Sequence, residues 1–172
     1  MRVLIVEDEV SLAAGIRRGL EAEGFTADVA HDGIDGLWWA REHAYDVIVL
    51  DMSSMSKFLV QGRDACELLN RVSCNDVDVE PGRVVYTAWA NEAGGFEADL
   101  TVTRLETDSF LVVVGENSDG HTETWLRRHI RPEQSVTITN ITAGITQINI
   151  QGPKARDLLR TISAADVSHE GF

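Results

Sequence analysis

The chain has 172 residues, 44% of them hydrophobic, and a formal net charge of -13. That length and apolar content suffice for a buried core in one domain or two small ones, while the acidity disfavours a surface built for nucleic acid or anionic lipid. No run of about 18 apolar residues occurs and the first residues alternate apolar side chains with acids, so neither a membrane span nor a secretory leader is expected and a cytoplasmic location is.

The first fifty residues read as strand, helix, strand, helix, strand. Arg2-Val3-Leu4-Ile5-Val6 is an apolar run, Leu12, Ile16 and Leu20 recur at helical spacing, and Gly24 stops that helix. Phe25 to Ala30 reads as a second strand, Gly33 to His43 as a second helix, and Val47-Ile48-Val49-Leu50 as a third, buried strand. Strands alternating with helices imply βαβ units and a parallel sheet.

After Asp51 the pattern changes. Lys57 to Gln61 is strand-like, and Gly62 leads into an amphipathic helix from Asp64 to Val72 with Ala65, Leu68, Leu69 and Val72 on one face. Arg83 to Ala90, Glu97 to Leu105 and Phe110 to Val114 read as an antiparallel meander, the first turn being Asn91-Glu92-Ala93-Gly94-Gly95. A helix from about Thr122 to Ile130 follows. Alternating β sequence then runs from Val136 to Ile150, broken at Ala143-Gly144, and Pro153 opens a last helix carrying Ala155, Leu158 and Leu159. No internal repeat is apparent. Cys66 and Cys74 have no second Cys or His pair at metal-ligand spacing and are expected to be reduced thiols.

In a parallel sheet the carboxyl ends of the strands share one edge, which brings Glu7 and Asp8 after the first strand toward Asp51 after the third. Three carboxylates there would suit Mg2+, and Asp51 is the geometric candidate for attack on a phosphoryl donor. Val3-Leu4-Ile5-Val6-Glu7-Asp8-Glu9, Glu23-Gly24-Phe25 and Tyr45-Asp46-Val47-Ile48-Val49-Leu50-Asp51 resemble the receiver domains of two-component response regulators. The resemblance implies Glu7 and Asp8 as the metal-binding pair, Asp51 as phosphoacceptor and a histidine kinase as partner. In that family a Met-Leu-Pro-Gly type loop, a Ser or Thr and a Lys follow; here Met52-Ser53-Ser54-Met55 comes next, and the only lysines are Lys57 and Lys154.

From residue 52 onward the chain resembles the folate-binding domain of the glycine-cleavage aminomethyltransferase and of sarcosine and dimethylglycine dehydrogenases. The residues that carry this are Asp51-Met52-Ser53-Ser54-Met55-Ser56-Lys57-Phe58, Val60-Gln61-Gly62 with Asp64-Ala65, Cys74-Asn75-Asp76-Val77 and Gly82-Arg83-Val84-Val85-Tyr86-Thr87. Asn91-Glu92-Ala93-Gly94-Gly95-Phe96-Glu97-Ala98-Asp99-Leu100-Thr101-Val102 is the most specific, and Ile150-Gln151-Gly152-Pro153 with Ala155 fits as well. The resemblance implies tetrahydrofolate as the acceptor of a one-carbon unit and Asp99 as the carboxylate near its nitrogens. Asn75, Tyr86 and the Gly94-Gly95 turn would line the same site, the glycines letting backbone approach a flat pterin.

The fold class expected is thus α/β plus α+β: a truncated parallel βαβαβ receiver unit over residues 1–51, then an α+β folate-domain-like unit with an antiparallel sheet over 52–172. The family's Gly-Tyr-Thr-Gly-Glu type segment does not occur. The functional expectation is a fragment of a one-carbon transfer domain on a truncated receiver, a chimera with little activity, with a phosphoacceptor module as the alternative. A bare third strand would leave an open sheet edge, from which self-association is expected unless Lys57 to Gln61 or a later strand fills it.

Overall fold

The computed structural model describes residues 1–168 and divides into two compact units, one formed by Met1–Met52 with the chain from Gln147 onward, the other by Ser53–Thr146. Each has its own sheet and core.

In the first unit β1 (Arg2–Val6), β2 (Thr26–Ala30) and β3 (Val47–Asp51) run parallel in the order β2-β1-β3. Helix α1 (Val10–Ala22) is started by Glu9, whose carboxylate accepts the N–H groups of Ser11 and Leu12, and ends where Gly24 takes φ +83. Helix α2 (Gly33–Glu42) starts from Asp32, which accepts the Asp35 N–H at 2.7 Å. Val3, Ile5, Val47 and Val49 face one side of the sheet with Ile16 and Leu20 of α1; Gly36 of α2 sits against Val6 on the other.

The second unit holds β4 (Met55–Gln61), α3 (Ala65–Val72), β5 (Val84–Ala90), β6 (Phe96–Glu106), β7 (Ser109–Glu116), α4 (Asp119–His129) and β8 (Thr137–Asn140). Its five strands are antiparallel in the order β5-β6-β7-β4-β8. Phe58, Val60, Leu68, Leu69, Trp89, Leu100, Val102, Phe110, Val112 and Leu126 fill its core, which matches the apolar stripe read on α3. A parallel-containing sheet and an antiparallel one are therefore both present, as the sequence pattern implies.

One stretch goes elsewhere. The alternating sequence from Val136 to Ile150 forms β8 in the second sheet, a 3-10 turn at Thr142–Gly144, and then β9 (Ile148–Gln151), which pairs antiparallel with β3 in the first sheet; α5 (Ala155–Ile162) follows it. The edge of β3 is filled by this later strand, so the ground for self-association through β3 falls away.

A repeat undetected from the sequence links the two units. Val60-Gln61-Gly62-Arg63-Asp64-Ala65 with Leu68-Leu69 and Ser73 corresponds to Ile150-Gln151-Gly152-Pro153-Lys154-Ala155 with Leu158-Leu159 and Ser163. Gly62 and Gly152 take φ +132 and +121. Ala65 N–H returns to Gly62 O at 2.9 Å and Ala155 N–H to Gly152 O at 3.1 Å; Asp64 N–H reaches Ser135 O at 3.5 Å and Lys154 N–H reaches Asp46 O at 3.1 Å. The neighbours correspond too, since Ser135 precedes β8, the antiparallel partner of β4, and Asp46 precedes β3, the antiparallel partner of β9.

Candidate functional site

The hairpin β5–β6 carries most of the residues singled out from the sequence. Ala98, Leu100 and Val102 point into the core, so the alternation of a strand puts Asp99 on the opposite face. Register places Ala88 opposite Asp99 and Tyr86 opposite Thr101, which makes Tyr86 and Asp99 diagonal neighbours. The Asp99 carboxylate beside it raises the Tyr86 phenol above its ordinary pKa. Tyr86 and Val84, two residues apart on the same strand face, are 65% and 61% exposed. A carboxylate acceptor thus stands beside a flat, exposed apolar surface.

Asn75 joins this pair from the loop after α3. Its Nδ2 donates to Tyr86 O at 2.7 Å and its own N–H donates to the Thr87 hydroxyl at 3.0 Å. Asn75, Tyr86 and Asp99 are therefore brought together.

Gly94 and Gly95 form the turn of the hairpin rather than a free backbone surface. Gly94, at φ +78, donates its N–H to Asn91 O, and Gly95 donates its N–H to Asn91 Oδ1 at 2.8 Å. A Cβ on Gly95 would lie 2.7 Å from Asn91 Nδ2, so that position has to stay bare for the Asn91 side chain to close the turn. Both glycine N–H groups are already taken.

Asn91 is the residue that sequence reasoning missed. Its Nδ2 donates to Glu97 Oε1 at 2.7 Å, and Glu97 Oε2 lies 3.0 Å from His121 Nε2 at the start of α4. This chain of contacts ties the hairpin that carries Asp99 to a helix more than twenty residues away. The pattern Asn-x-x-Gly-Gly signals the turn; nothing in it signals His121. Lys57 was read only as part of a motif. It is buried, its Nζ donates to Ser53 O and Met55 O at 3.1 and 2.8 Å, and through Val113 and Thr101 it shares a cross-strand row with Tyr86.

The acids of the first unit do not assemble as expected. Glu7 is buried and turns onto its own loop, where Oε1 accepts the Glu9 N–H at 3.0 Å; Asp8 is exposed. Asp51 ends β3 paired with Ile148 of β9. Among the described residues no group of three His, Cys, Asp or Glu side chains has the arrangement to hold a metal ion, so the Mg2+ site expected at Glu7, Asp8 and Asp51 is not formed. Cys66 and Cys74 are both free thiols, and burial together with the nearby Asp78 carboxylate pushes Cys66 up to about 11. Among the described residues no helix is long and apolar enough to cross a membrane.

An α+β unit with an acid and a tyrosine on the open face of an antiparallel hairpin is the class of domain that the fold and site define. A family model for the GCVT N-terminal domain matches residues 31–172, and the chain belongs to that family of aminomethyltransferase domains. The match starts ahead of α2 and so takes in α2 and β3 as well as the second unit.

The chain is 34% identical over 128 residues to the pyruvate dehydrogenase phosphatase regulatory subunit, mitochondrial, of Mus musculus, covering 73% of this chain and 15% of that protein. It is 39% identical over 124 residues to the 4-methylaminobutanoate oxidase (formaldehyde-forming) of Paenarthrobacter nicotinovorans, covering 72% and 15%. The chain thus spans about 15% of the length of these curated relatives.

Among solved structures it superposes on the glycine cleavage system aminomethyltransferase T from Bartonella henselae with a TM-score of 0.60 at 22% identity, covering 74% of this chain and 34% of that one. On the heterotetrameric sarcosine oxidase from Corynebacterium sp. U-96 the TM-score is 0.56 at 19% identity, covering 75% and 63%. At such identities these two speak for the fold alone.

Proposed function

We propose that this chain carries part of the tetrahydrofolate site of a one-carbon transfer domain, with Asp99 as its acid. The observation that carries the reading is the Asp99 carboxylate set diagonally beside the exposed Tyr86 side chain on the open face of the hairpin. That face fits a flat heterocycle bearing N–H donors: the Tyr86 and Val84 side chains offer the area and Asp99 the acceptor. When bound, tetrahydrofolate would supply the nitrogens that accept the one-carbon unit.

The chain's own part is to position and to stabilise. Asp99 sits on a strand that is locked on both sides by β5 and β7, so its carboxylate is held rather than free to swing. It accepts an N–H from the ligand and offsets positive charge that develops nearby. Tyr86 fixes which way the carboxylate faces, and Asn75, bonded to the Tyr86 carbonyl, holds that stretch of β5 in place. Gly94 and Gly95 act through Asn91, by setting the hairpin that presents Asp99.

Calorimetric titration of the purified chain with tetrahydrofolate tests this. Asp99→Asn keeps the shape and removes the charge, and is expected to weaken binding about tenfold or more, a loss of roughly 1.4 kcal/mol or more. Equal affinity in the variant would sink the assignment of Asp99.

A second reading concerns the first unit. The parallel order β2-β1-β3, with α1 and α2 on opposite faces, supports derivation from a receiver-type doubly wound sheet, and with it a composite chain. Phosphoryl transfer to Asp51 would require Glu7 to leave its bond to the Glu9 N–H. Labelling by a small phosphodonor that is lost in Asp51→Ala is the result that would favour it.

A further inference from the structure

The pairing of β6 with β7 runs from Leu100 opposite Val114 to Glu106 opposite Ser109. Asp99 therefore adjoins the last pair of that ladder, and the hairpin from Trp89 through the Asn91–Gly95 turn to Ala98 continues past it as two strands. A two-stranded ribbon is marginal in water by itself. On its β5 side the hairpin is tied to the segment after α3, by Cys74 N–H to Ala88 O at 2.9 Å and Trp89 Nε1 to Ser73 Oγ at 3.1 Å. On its β6 side β7 ends at Glu116, and the chain turns through Asn117, at φ +57, to begin α4 at Asp119.

The first turn of α4 supplies the tie on that side. Trp89 pairs with Ala98 and Ala90 with Phe96, so Glu97 is the extra residue of a β-bulge. In unbroken alternation Glu97 would share a face with Asp99, two residues on; at the bulge it turns instead toward α4, whose Leu126 lies in the core with Ala98. There its two oxygens are divided, Oε2 accepting from His121 Nε2 at 3.0 Å and Oε1 from Asn91 Nδ2 at 2.7 Å. A carboxylate only accepts, so His121 is the donor. The other end of the Asn91 side chain closes the turn, Oδ1 taking the N–H groups of Ala93 and Gly95 at 3.1 and 2.8 Å. One side chain of α4 is thereby joined to both the bulge and the turn.

We propose that His121 is a positioning residue: through Glu97 and Asn91 it holds the projecting end of the hairpin, so that Asp99 is presented in one place. The inference rests on the reading of Asp99 as the acid of the folate site. Binding to a loosely held hairpin would include the cost of ordering it, which a preset hairpin does not carry. His121 acts from the helix side of the sheet, whereas Asp99 stands on the open side.

Substitution and rescue separate the hydrogen bond from packing, because His121 also stacks on Trp125 with ring centres 6.4 Å apart. His121→Phe keeps a ring there and removes the donor, and His121→Gln returns a donor N–H. In the unliganded chain, amide hydrogen exchange at Asn91 and Gly95 is expected to quicken about tenfold in His121→Phe with the β7 amides unchanged, and to return to wild-type rates in His121→Gln. Tetrahydrofolate affinity, read by calorimetric titration, is expected to fall about threefold to tenfold in His121→Phe and to recover in His121→Gln. His121→Leu carries the same expectations as the phenylalanine variant and replaces it if that variant melts early. Unchanged exchange at Asn91 and Gly95, a loosening that glutamine does not reverse, or unchanged affinity in the donor-free variant of a wild type that binds would each overturn the proposal. A wild type that takes up no tetrahydrofolate would sink the folate reading alone, and the exchange rates would then decide whether His121 holds the hairpin.

Discussion

The two strand-glycine-helix segments, β4–α3 and β9–α5, repeat one local grammar in unequal settings. In the second unit Ala65, Leu68 and Leu69 are all fully buried, because the helix lies over a five-stranded sheet with α4 beside it. In the first unit Leu158 is buried, but Ala155 and Leu159 are only partly covered and the sheet stops at β9. The same sequence pattern thus specifies the turn and the helix in both places. How much burial stabilises each copy is set by the strands around it, which the local sequence does not contain.

The sharpest way to break that comparison is to truncate one leucine in each copy. Leu69→Ala opens a cavity in an enclosed core and is expected to cost about 3 to 5 kcal/mol, whereas Leu159→Ala, at a half-open site, should cost about 1 kcal/mol. Calorimetric unfolding of the two variants checks it; similar losses would mean that enclosure is not what separates the copies.

The glycines should behave alike where the leucines do not. Gly62 and Gly152 both take positive φ, and each has a backbone carbonyl, Ser135 O and Asp46 O, where a Cβ would stand. Alanine at either position is expected to cost about 2 to 3 kcal/mol from backbone strain, apart from any further cost of the clash. Urea unfolding of Gly62→Ala and Gly152→Ala gives the pair of values, and a tolerated Gly152→Ala would show that the second copy does not depend on the close approach that the first does.

These contrasts mark where the sequence is legible. Most strands and helices lie within about two residues of their expected positions, because period-two and period-3.6 patterns are local properties; α4 starts three residues early, at Asp119, and β9 three residues late, at Ile148. The contact of Tyr86 with Asp99 follows from alternation and hairpin register, both readable once the turn at Asn91 is recognised. The transfer of β9 to the first sheet was not readable, since Ile-Asn-Ile-Gln pairs equally well with either sheet and the choice is made by long-range packing. The repeat is not legible in the sequence because it rests on a few positions, Gln-Gly, Ala, Leu-Leu and Ser, that are common residues singly. The Asn91–Glu97–His121 chain escaped because His121 reaches the hairpin only through the fold. The expected Mg2+ cluster failed for a local reason, Glu7 having turned to bond the start of its own loop.

The smallest effect should come from the polar cluster that the first unit has beside its thinner core. Arg2 bonds Asp28 at 2.8 Å and lies 4.7 Å from the centre of the Tyr45 ring, while the Tyr45 hydroxyl donates to Asp28 at 2.9 Å. Burial acts to raise Asp28, but the hydrogen bonds from Arg2 and Tyr45 together outweigh it and hold the carboxyl below its usual range; burial and then the Asp28 bond push Tyr45 up to about 12 from 10.0. A phenol whose pKa is higher folded than unfolded contributes stability that is fully present below the unfolded value and is lost as pH rises through the folded one. The Tyr45 contribution should therefore fade between pH 10 and about 12. The Asp28 contribution is also stabilising but has the opposite pH dependence, being lost only in acid, as pH falls through its lowered pKa. Lys154, raised by its bond to Asp46, also titrates in the alkaline window, so the wild-type melt alone does not isolate the phenol. The difference between wild type and Tyr45→Phe does: it should be constant from neutral pH up to about pH 10 and narrow above it, with tyrosinate absorbance reporting the same titration. A gap that stays constant through pH 12 would mean that the hydroxyl serves packing alone, and that the first unit, like the second, relies on what its helices cover.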